Sequence, residues 1–290
     1  MFPDYFSAIM SVKRSGTQDE LKAVKKDVTA LCADYVQALK FLKPPPRKQW
    51  AKGASDALIS CYSVNTKALS SHKDSILKSL ISQAEINVQR CPYCMLNDPK
   101  TWDHYMPKDD FPEYSVFHAN LLYVCYGCNQ RKSNYFSPTE LVYCHPYFSV
   151  DINSAILHCE VKVDKGKLSI DYYGAGYDGY TEQGNIAQRH LERLGLVDRF
   201  KIEASSTVAD LISELHQNFP NGVTQSILDG VLQRRYSDSM KKLGCNAWDS
   251  RLWHGIAACG EFISYANDEM SKLGTLNLKG FREASPKRSL

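Results

Sequence analysis

"DHYMPKDDFPEYSVFHANLLYVCYGCNQRKSN", residues 103–134, is the part of the 290-residue sequence on which the predicted fold depends. It opens with Asp103 and His104 and closes with a Cys-x-x-Cys pair that Asn129 follows directly. A second Cys-x-x-Cys pair, in "CPYC", lies just upstream at residues 91–94. Two cysteine pairs, an Asp-His dipeptide and well-spaced asparagines in one short stretch point to a metal-binding module.

The two cysteine pairs have the spacing of a structural zinc site. A Cys-x-x-Cys turn directs two thiolates at one tetrahedral ion, and two such turns complete a closed four-cysteine site. The insert between the pairs is longer than in a plain zinc ribbon, so further structure is expected there. The alternatives are four unrelated buried cysteines, or a zinc site without chemistry nearby. The predicted ligands are Cys91, Cys94, Cys125 and Cys128.

The insert carries the residue types that a metal-dependent nuclease needs: a metal ligand, a general base and a rigid support. Asp103 and His104 are adjacent, so their side chains face opposite sides of an extended strand. Asn120 lies where a returning strand would pass, and its amide can bond backbone across the hairpin. Asn129 opens a predicted helix, and its amide oxygen is a hard ligand suited to Mg²⁺.

This order of residues resembles the HNH nuclease family, which has a ββα-metal core bracketed in many members by zinc knuckles. The resemblance implies that Asp103 binds the catalytic metal and that His104 is the general base. It also implies that Asn120 is the central asparagine, Asn129 the final metal ligand and Lys132 a phosphate contact. In this sequence an asparagine stands at the final position, where the family also has histidine.

The sequence pattern "DHYMPK…FPEYSV…NL…C…CN" is similar to that of the family branch found in bacterial anti-phage systems of the Septu and retron types. That branch often accompanies an ATPase, which implies a DNA substrate and a regulatory ATPase subunit for this chain. Tyr123 stands where proline is common in the branch, a difference that affects the loop and no ligand.

Composition indicates a globular protein. Hydrophobic residues make up 43% and charged residues 23% of the chain, as in soluble domains with a real core. The sequence has no run of eighteen apolar residues and its start is a poor signal peptide, so a cytoplasmic location is expected. Six scattered cysteines fit a reducing cytosol better than a disulfide framework.

The remaining pattern predicts an α+β protein: a mostly helical scaffold around a small zinc-stapled module. "KPPPRKQW" should end the first long helix, because three prolines cannot continue it. The tail after residue 275 is polar and predicted to be loose. Helical spacing is found in residues 18–42, 53–88, 184–217, 223–242 and 251–272, and alternation in 156–173 predicts a β-hairpin. The predicted regions are 1–86 (helical), 87–148 (nuclease module) and 149–290 (hairpin and helices).

The net charge is +3, but basic and acidic residues are unevenly distributed along the chain. Residues 91–135 carry 4 basic and 5 acidic side chains, whereas residues 136–230 carry 7 and 13. Binding of nucleic acid requires Lys and Arg to displace phosphate counterions. The module cannot supply that charge alone, so the basic ends of the chain would have to help.

Four further side chains have both a functional and an ordinary interpretation. Arg131 and Lys132 could contact phosphate, or could be solvated on a helix face. His145 could complete a metal shell or contact DNA, or could be a packed histidine before a proline. His118 is predicted to be structural.

The leading hypothesis is therefore a Mg²⁺- or Mn²⁺-dependent HNH endonuclease that hydrolyses DNA and contains structural zinc. The alternative is a non-catalytic zinc module that binds nucleic acid or a protein. The intact Asp-His, Asn and Asn set favours the first, because a pure binding module does not need it.

Overall fold

The computed structural model describes residues 2–82, 90–148, 154–176, 179 and 181–273. These residues form ten α-helices and two small antiparallel sheets of two strands each. The predicted mostly helical α+β class is confirmed at this level. No helix in the described part of the chain is both long and apolar enough to cross a bilayer. The helical prediction for residues 83–88 and the loose tail lie outside the described residues.

The chain divides into two compact units. The first comprises the residues up to Leu157 together with Gly174–Leu196, and the second comprises His158–Tyr173 and the residues from Val197 onward. The predicted helical region 1–86 and the predicted module 87–148 thus fall in the same unit. The three predicted regions remain predictions.

The first unit begins with helices that bury one face each. They are α1 Phe2–Ser11, α2 Ser15–Lys40, α3 Lys52–Ser63 and α4 Lys67–Ser82. Helix α2 matches the predicted helix and buries residues at three- to seven-residue steps, namely Leu21, Val28, Cys32, Tyr35 and Leu39. It ends before Leu42, whose φ of 57° is left-handed, and before the prolines. Helix α1 was not predicted.

The proline-rich segment after α2, residues 43–50, is hydrogen-bonded to the predicted module. Buried Glu113 accepts hydrogen bonds from the backbone N–H of Lys48 at 3.1 Å and from Nε1 of Trp50 at 2.9 Å. The hydroxyl of Tyr114 donates to the carbonyl of Pro46 at 2.6 Å. Burial raises the pKa of Glu113. The segment is thus a linker that also anchors the insert.

Two short strands and a helix follow one another around the insert. Strands β1 (Thr101–His104) and β2 (Leu121–Val124) pair antiparallel, with Asp103 opposite Leu122 and His104 opposite Leu121. A 3₁₀ turn at Pro112–Tyr114 lies between them, and helix α5 (Tyr126–Lys132) comes directly after β2. This connection brings the end of β1 and the first turns of α5 side by side.

The predicted hairpin is present. Strands β3 (Leu157–Asp164) and β4 (Lys167–Gly174) are joined at Lys165 and Gly166, whose φ angles are 50° and 73°. Positive φ at both central residues is the mark of a tight hairpin turn whose twist matches that of the strands.

The remaining helices are α6 Thr181–Leu194, α7 Leu196–Asn218, α8 Gln225–Leu243, α9 Trp248–Ala258 and α10 Phe262–Leu273. The helix predicted over residues 251–272 is therefore two helices, separated at residues 259–261. In the second unit α9 lies so close to β3 that a Cβ on Gly255 would sit 2.6 Å from the carbonyl oxygen of Cys159. Only glycine permits that approach.

Candidate metal centre and adjoining cleft

The two cysteine pairs meet in one buried cluster. The sulfur atoms of Cys91, Cys94, Cys125 and Cys128 all lie within 4.8 Å of one another. Cys94 and Cys125 are 3.9 Å apart at sulfur, close to the roughly 3.8 Å expected across a tetrahedron with 2.3 Å metal–sulfur bonds. None of these four described cysteines is in a disulfide. The cluster could therefore bind a metal ion such as zinc.

Local backbone geometry places each pair. In the first, the N–H groups of Cys94 and Met95 both donate to the carbonyl of Cys91, at 3.2 and 2.8 Å. Met95 has a left-handed φ of 52°, which closes the turn. In the second, Cys125 caps helix α5, and its sulfur accepts from the N–H of Cys128 at 3.4 Å. The first pair thus lies in a loop and the second at the start of helix α5, and these two segments present the four sulfur atoms.

Asp103 is held from two sides. Its Oδ2 accepts from the hydroxyl of Tyr93 at 2.7 Å, and its Oδ1 lies 3.2 Å from the ammonium of Lys132. The aspartate is 4% exposed and the lysine 0%. The Lys132 ammonium also donates to the carbonyl of His104 at 2.7 Å. A buried charge needs such pairing, because isolation from water is costly.

Lys132 is therefore placed differently from the prediction. It was expected on a solvated or phosphate-contacting helix face, but it points inward beneath β1 to Asp103. In this arrangement it has no exposed surface to offer a phosphate. Burial lowers the pKa of Lys132, and the charge of Asp103 opposes that shift. Arg131, one residue earlier, is exposed as expected, and its role stays a prediction.

His104 is the last residue of β1 and directly follows Asp103. Its Nε2 is 2.9 Å from the carbonyl oxygen of Ser115, and its ring meets that of Tyr62 edge-on at 4.3 Å between centroids. A carbonyl oxygen only accepts, so Nε2 carries the hydrogen and Nδ1 is the unprotonated nitrogen. Burial lowers the pKa of His104 to about 4, which leaves the ring neutral at pH 7.

Asn120 is a fully buried support. Its Oδ1 accepts from the hydroxyl of Tyr35 at 3.0 Å and from the N–H of Met106 at 2.7 Å. Its Nδ2 donates to the carbonyls of Met106 at 3.0 Å and Tyr114 at 3.2 Å. The amide thus bonds backbone across the hairpin, as its position suggested, and fixes the loop that follows β1.

A small open cleft joins the predicted site residues. It has a volume of about 130 Å³ and is lined by Trp102, Asp103, His104, Pro107, Lys108, Asn129, Ser133 and Asn134. Asn129, the middle residue of α5, is thus brought to the same cavity as the Asp-His pair. Asn120 does not line it, and acts on the cleft only through the loop that it holds.

His145 is bonded within the fold through both ring nitrogens. It is fully buried, its Nε2 donates to the carbonyl of Ala119 at 2.8 Å, and its Nδ1 accepts from the N–H of Tyr147 at 3.3 Å. Both ring nitrogens are therefore used within the fold. The ordinary interpretation of this histidine is the one that the geometry favours. His118, predicted to be structural, is half-buried and packs against Phe117.

Three residues around the cleft were missed by the sequence reasoning. Tyr62 comes from helix α3 and Ser115 from the 3₁₀ turn, and both contact His104. Tyr93 lies inside the first cysteine pair, yet its hydroxyl reaches Asp103. Only Tyr93 carried a local signal, because it stands between two predicted ligands. The other two depend on how distant segments pack.

Comparisons with known proteins reach only part of the chain. It is similar to protein ea31 of Escherichia phage lambda, with 27% identity over 132 residues, which are 43% of this chain and 44% of that protein. The chain thus spans less than half the length of this relative. No family model and no solved structure matches the chain.

Proposed function

We propose that this protein is a metal-dependent HNH endonuclease that hydrolyses DNA phosphodiester bonds and serves as the nuclease of a bacterial anti-phage system. The observation that carries the proposal is the cleft of about 130 Å³, which has Asp103, His104 and Asn129 in its lining. The resemblance of their order in sequence to the HNH motif supplies the reaction class. The anti-phage assignment rests on that resemblance alone.

The orientation of His104 supports its role as general base. Because Ser115 holds the Nε2 hydrogen, Nδ1 is the atom that can take a proton from an attacking water. The edge-on ring of Tyr62 restricts rotation of the imidazole. A base held in one tautomer and one orientation is what water activation requires.

The donor set beside His104 fits a divalent cation. Asp103 offers a carboxylate and Asn129 an amide oxygen, both hard ligands of the kind that Mg²⁺ and Mn²⁺ prefer. When bound, such an ion would stabilise charge on the phosphate and on the leaving 3′ oxygen. The Lys132 ammonium near Asp103 Oδ1 already places one positive charge there. Metal binding would therefore have to share or displace that ion pair.

One observation favours a second candidate, a non-catalytic zinc module that binds nucleic acid or protein. The Asp103–Lys132 pair is buried and internally neutralised, as in a purely structural ion pair. In that case the four-cysteine cluster would stabilise a binding surface. This candidate gives no reason for a single-tautomer histidine in an open cleft, so we rank it second.

Cleavage should require an exchangeable ion that is distinct from the zinc. We expect purified protein to nick or linearise plasmid with Mg²⁺ or Mn²⁺, because the oxygen ligands at the cleft release hard ions readily. Brief treatment with a mild chelator should stop cleavage, and added Mg²⁺ or Mn²⁺ should restore it. Metal analysis after chelation should still find zinc, because a closed thiolate site retains it. Undiminished cleavage in chelator would contradict this mechanism.

We further propose that an ATPase or other regulatory subunit gates the nuclease. Unrestrained cleavage would damage the host DNA, and the module carries few basic residues to hold DNA alone. The segment 136–230, with 13 acidic against 7 basic residues, suits docking of a basic partner. Co-purification from the native host at moderate salt should recover that partner. Recovery of this chain alone, with rapid cleavage of ordinary plasmid, would refute gating by a partner.

A further inference from the structure

Tyr93 occupies an unusual position between two cysteines of the cluster. It is 4% exposed, and its hydroxyl donates to Asp103 Oδ2 at 2.7 Å. Its own backbone carbonyl accepts from Nε2 of His190 at 2.8 Å, and Nδ1 of His190 accepts from the N–H of Cys144 at 3.2 Å. Residues from three segments therefore hold this tyrosine in place.

The carboxylate of Asp103 has two side-chain donors in the described part of the chain. Lys132 holds Oδ1 and Tyr93 holds Oδ2. Together they set the plane of the carboxylate. Without the tyrosine hydroxyl, the carboxylate would be free to turn both oxygens toward the lysine ammonium. A divalent ion would then meet a ligand in the wrong orientation and already paired with a cation.

We propose that Tyr93 is a positioning residue that orients Asp103 for metal binding and so links the four-cysteine cluster to the cleft. This inference rests on the proposed function of Asp103 as a metal ligand. Hydrogen-bond partners of metal ligands typically affect metal affinity or activity by roughly 10- to 100-fold. The cysteine cluster would accordingly serve the chemistry as well as the stability of the module.

The chain offers a matched control for Tyr93→Phe. Tyr105 is 3% exposed, and its hydroxyl donates to the carbonyl of Tyr143 at 2.6 Å rather than to Asp103. Tyr105→Phe thus removes one buried hydroxyl and one short hydrogen bond from the same unit. Any general effect of losing such a bond should appear in both variants.

The first measurement is Mn²⁺ binding in the absence of nucleic acid, detected through the spectroscopic signal of free Mn²⁺. The second is the rate of cleavage at varied Mn²⁺ concentrations. Tyr93→Phe should weaken Mn²⁺ binding by about 10-fold or more and raise the Mn²⁺ concentration for half-maximal cleavage in parallel. Saturating Mn²⁺ should recover most of the rate. Tyr105→Phe should bind Mn²⁺ as the wild type does, and both variants should keep their zinc.

Wild-type Mn²⁺ affinity in Tyr93→Phe would overturn the inference, as would equal weakening in both variants or loss of zinc from Tyr93→Phe. If the wild type cleaves and Tyr93→Phe binds Mn²⁺ as tightly as the wild type does, the inference fails while the proposed function stands. If the wild type binds Mn²⁺ and Tyr93→Phe binds it weakly, but neither cleaves, the positioning role stands and the nuclease proposal fails. A wild type that binds no Mn²⁺ overturns both.

Discussion

Replacing Cys128 with serine should unfold the module rather than only lower the rate of cleavage. The four sulfurs come from two separate turns, and one ion would tie those turns together. Zinc binding contributes on the order of 10 kcal/mol of folding free energy in small zinc domains, whereas a whole domain is stable by only about 5–15 kcal/mol. Serine is a poor zinc ligand, so most of that contribution should disappear. Cys91→Ser should behave in the same way.

Circular dichroism, thermal unfolding and metal analysis on the same samples would measure this effect. Cys61→Ser is a suitable control, because Cys61 is also fully buried in the first unit but lies outside the cluster. Its sulfur lies 3.5 Å from the carbonyl of Ala57, a bond that a serine hydroxyl can make. We expect this control to keep its zinc and its fold. A native wild-type protein without stoichiometric zinc would refute the assignment of a four-cysteine zinc site.

His104→Ala should abolish detectable cleavage while the protein stays folded and retains zinc. Loss of a general base typically lowers a rate by roughly 10²–10⁴-fold. The substitution also leaves the carbonyl of Ser115 without its ring partner, which costs about 1–3 kcal/mol where the group stays buried. That destabilisation is small enough for the fold to survive it. Single-turnover cleavage of plasmid, with saturating protein and metal, would separate the chemical step from binding.

His254→Ala provides the control for this experiment. His254 is exposed on helix α9 in the second unit, so its removal should leave the cleavage rate unchanged. Retention of the wild-type rate by correctly folded His104→Ala would exclude the histidine as the base. Equal losses of cleavage rate in both variants would indicate a difference in the quality of the protein samples rather than loss of the general base.

The elements that were predicted correctly are those with strong local signals. Helix α2 has a regular apolar stripe and ends at prolines, and the β3–β4 hairpin has alternation with glycine at its turn. The break between α9 and α10 was missed because apolar spacing continues across it. Gly260 was the available signal, but a single glycine is tolerated in many helices.

The candidate site divides in the same manner. Cysteine spacing predicted a cluster that the fold does assemble, because ligand pairs close in sequence need only one tertiary contact to meet. Lys132 was misjudged for the opposite reason. Its partner Asp103 lies 29 residues earlier, and a helix-face pattern carries no information about such a contact. The catalytic roles of Asp103, His104 and Asn129 stay predictions.

The hydrogen bond from His190 to Tyr93 has a consequence for the time at which the protein matures. Ninety-seven residues separate the two partners, so this support of Tyr93 is missing until helix α6 has been synthesised. At translation rates of about 5–20 residues per second, the cysteine pairs exist for several seconds before that support arrives. A nascent or prematurely terminated chain would therefore hold its cysteine cluster without a finished cleft.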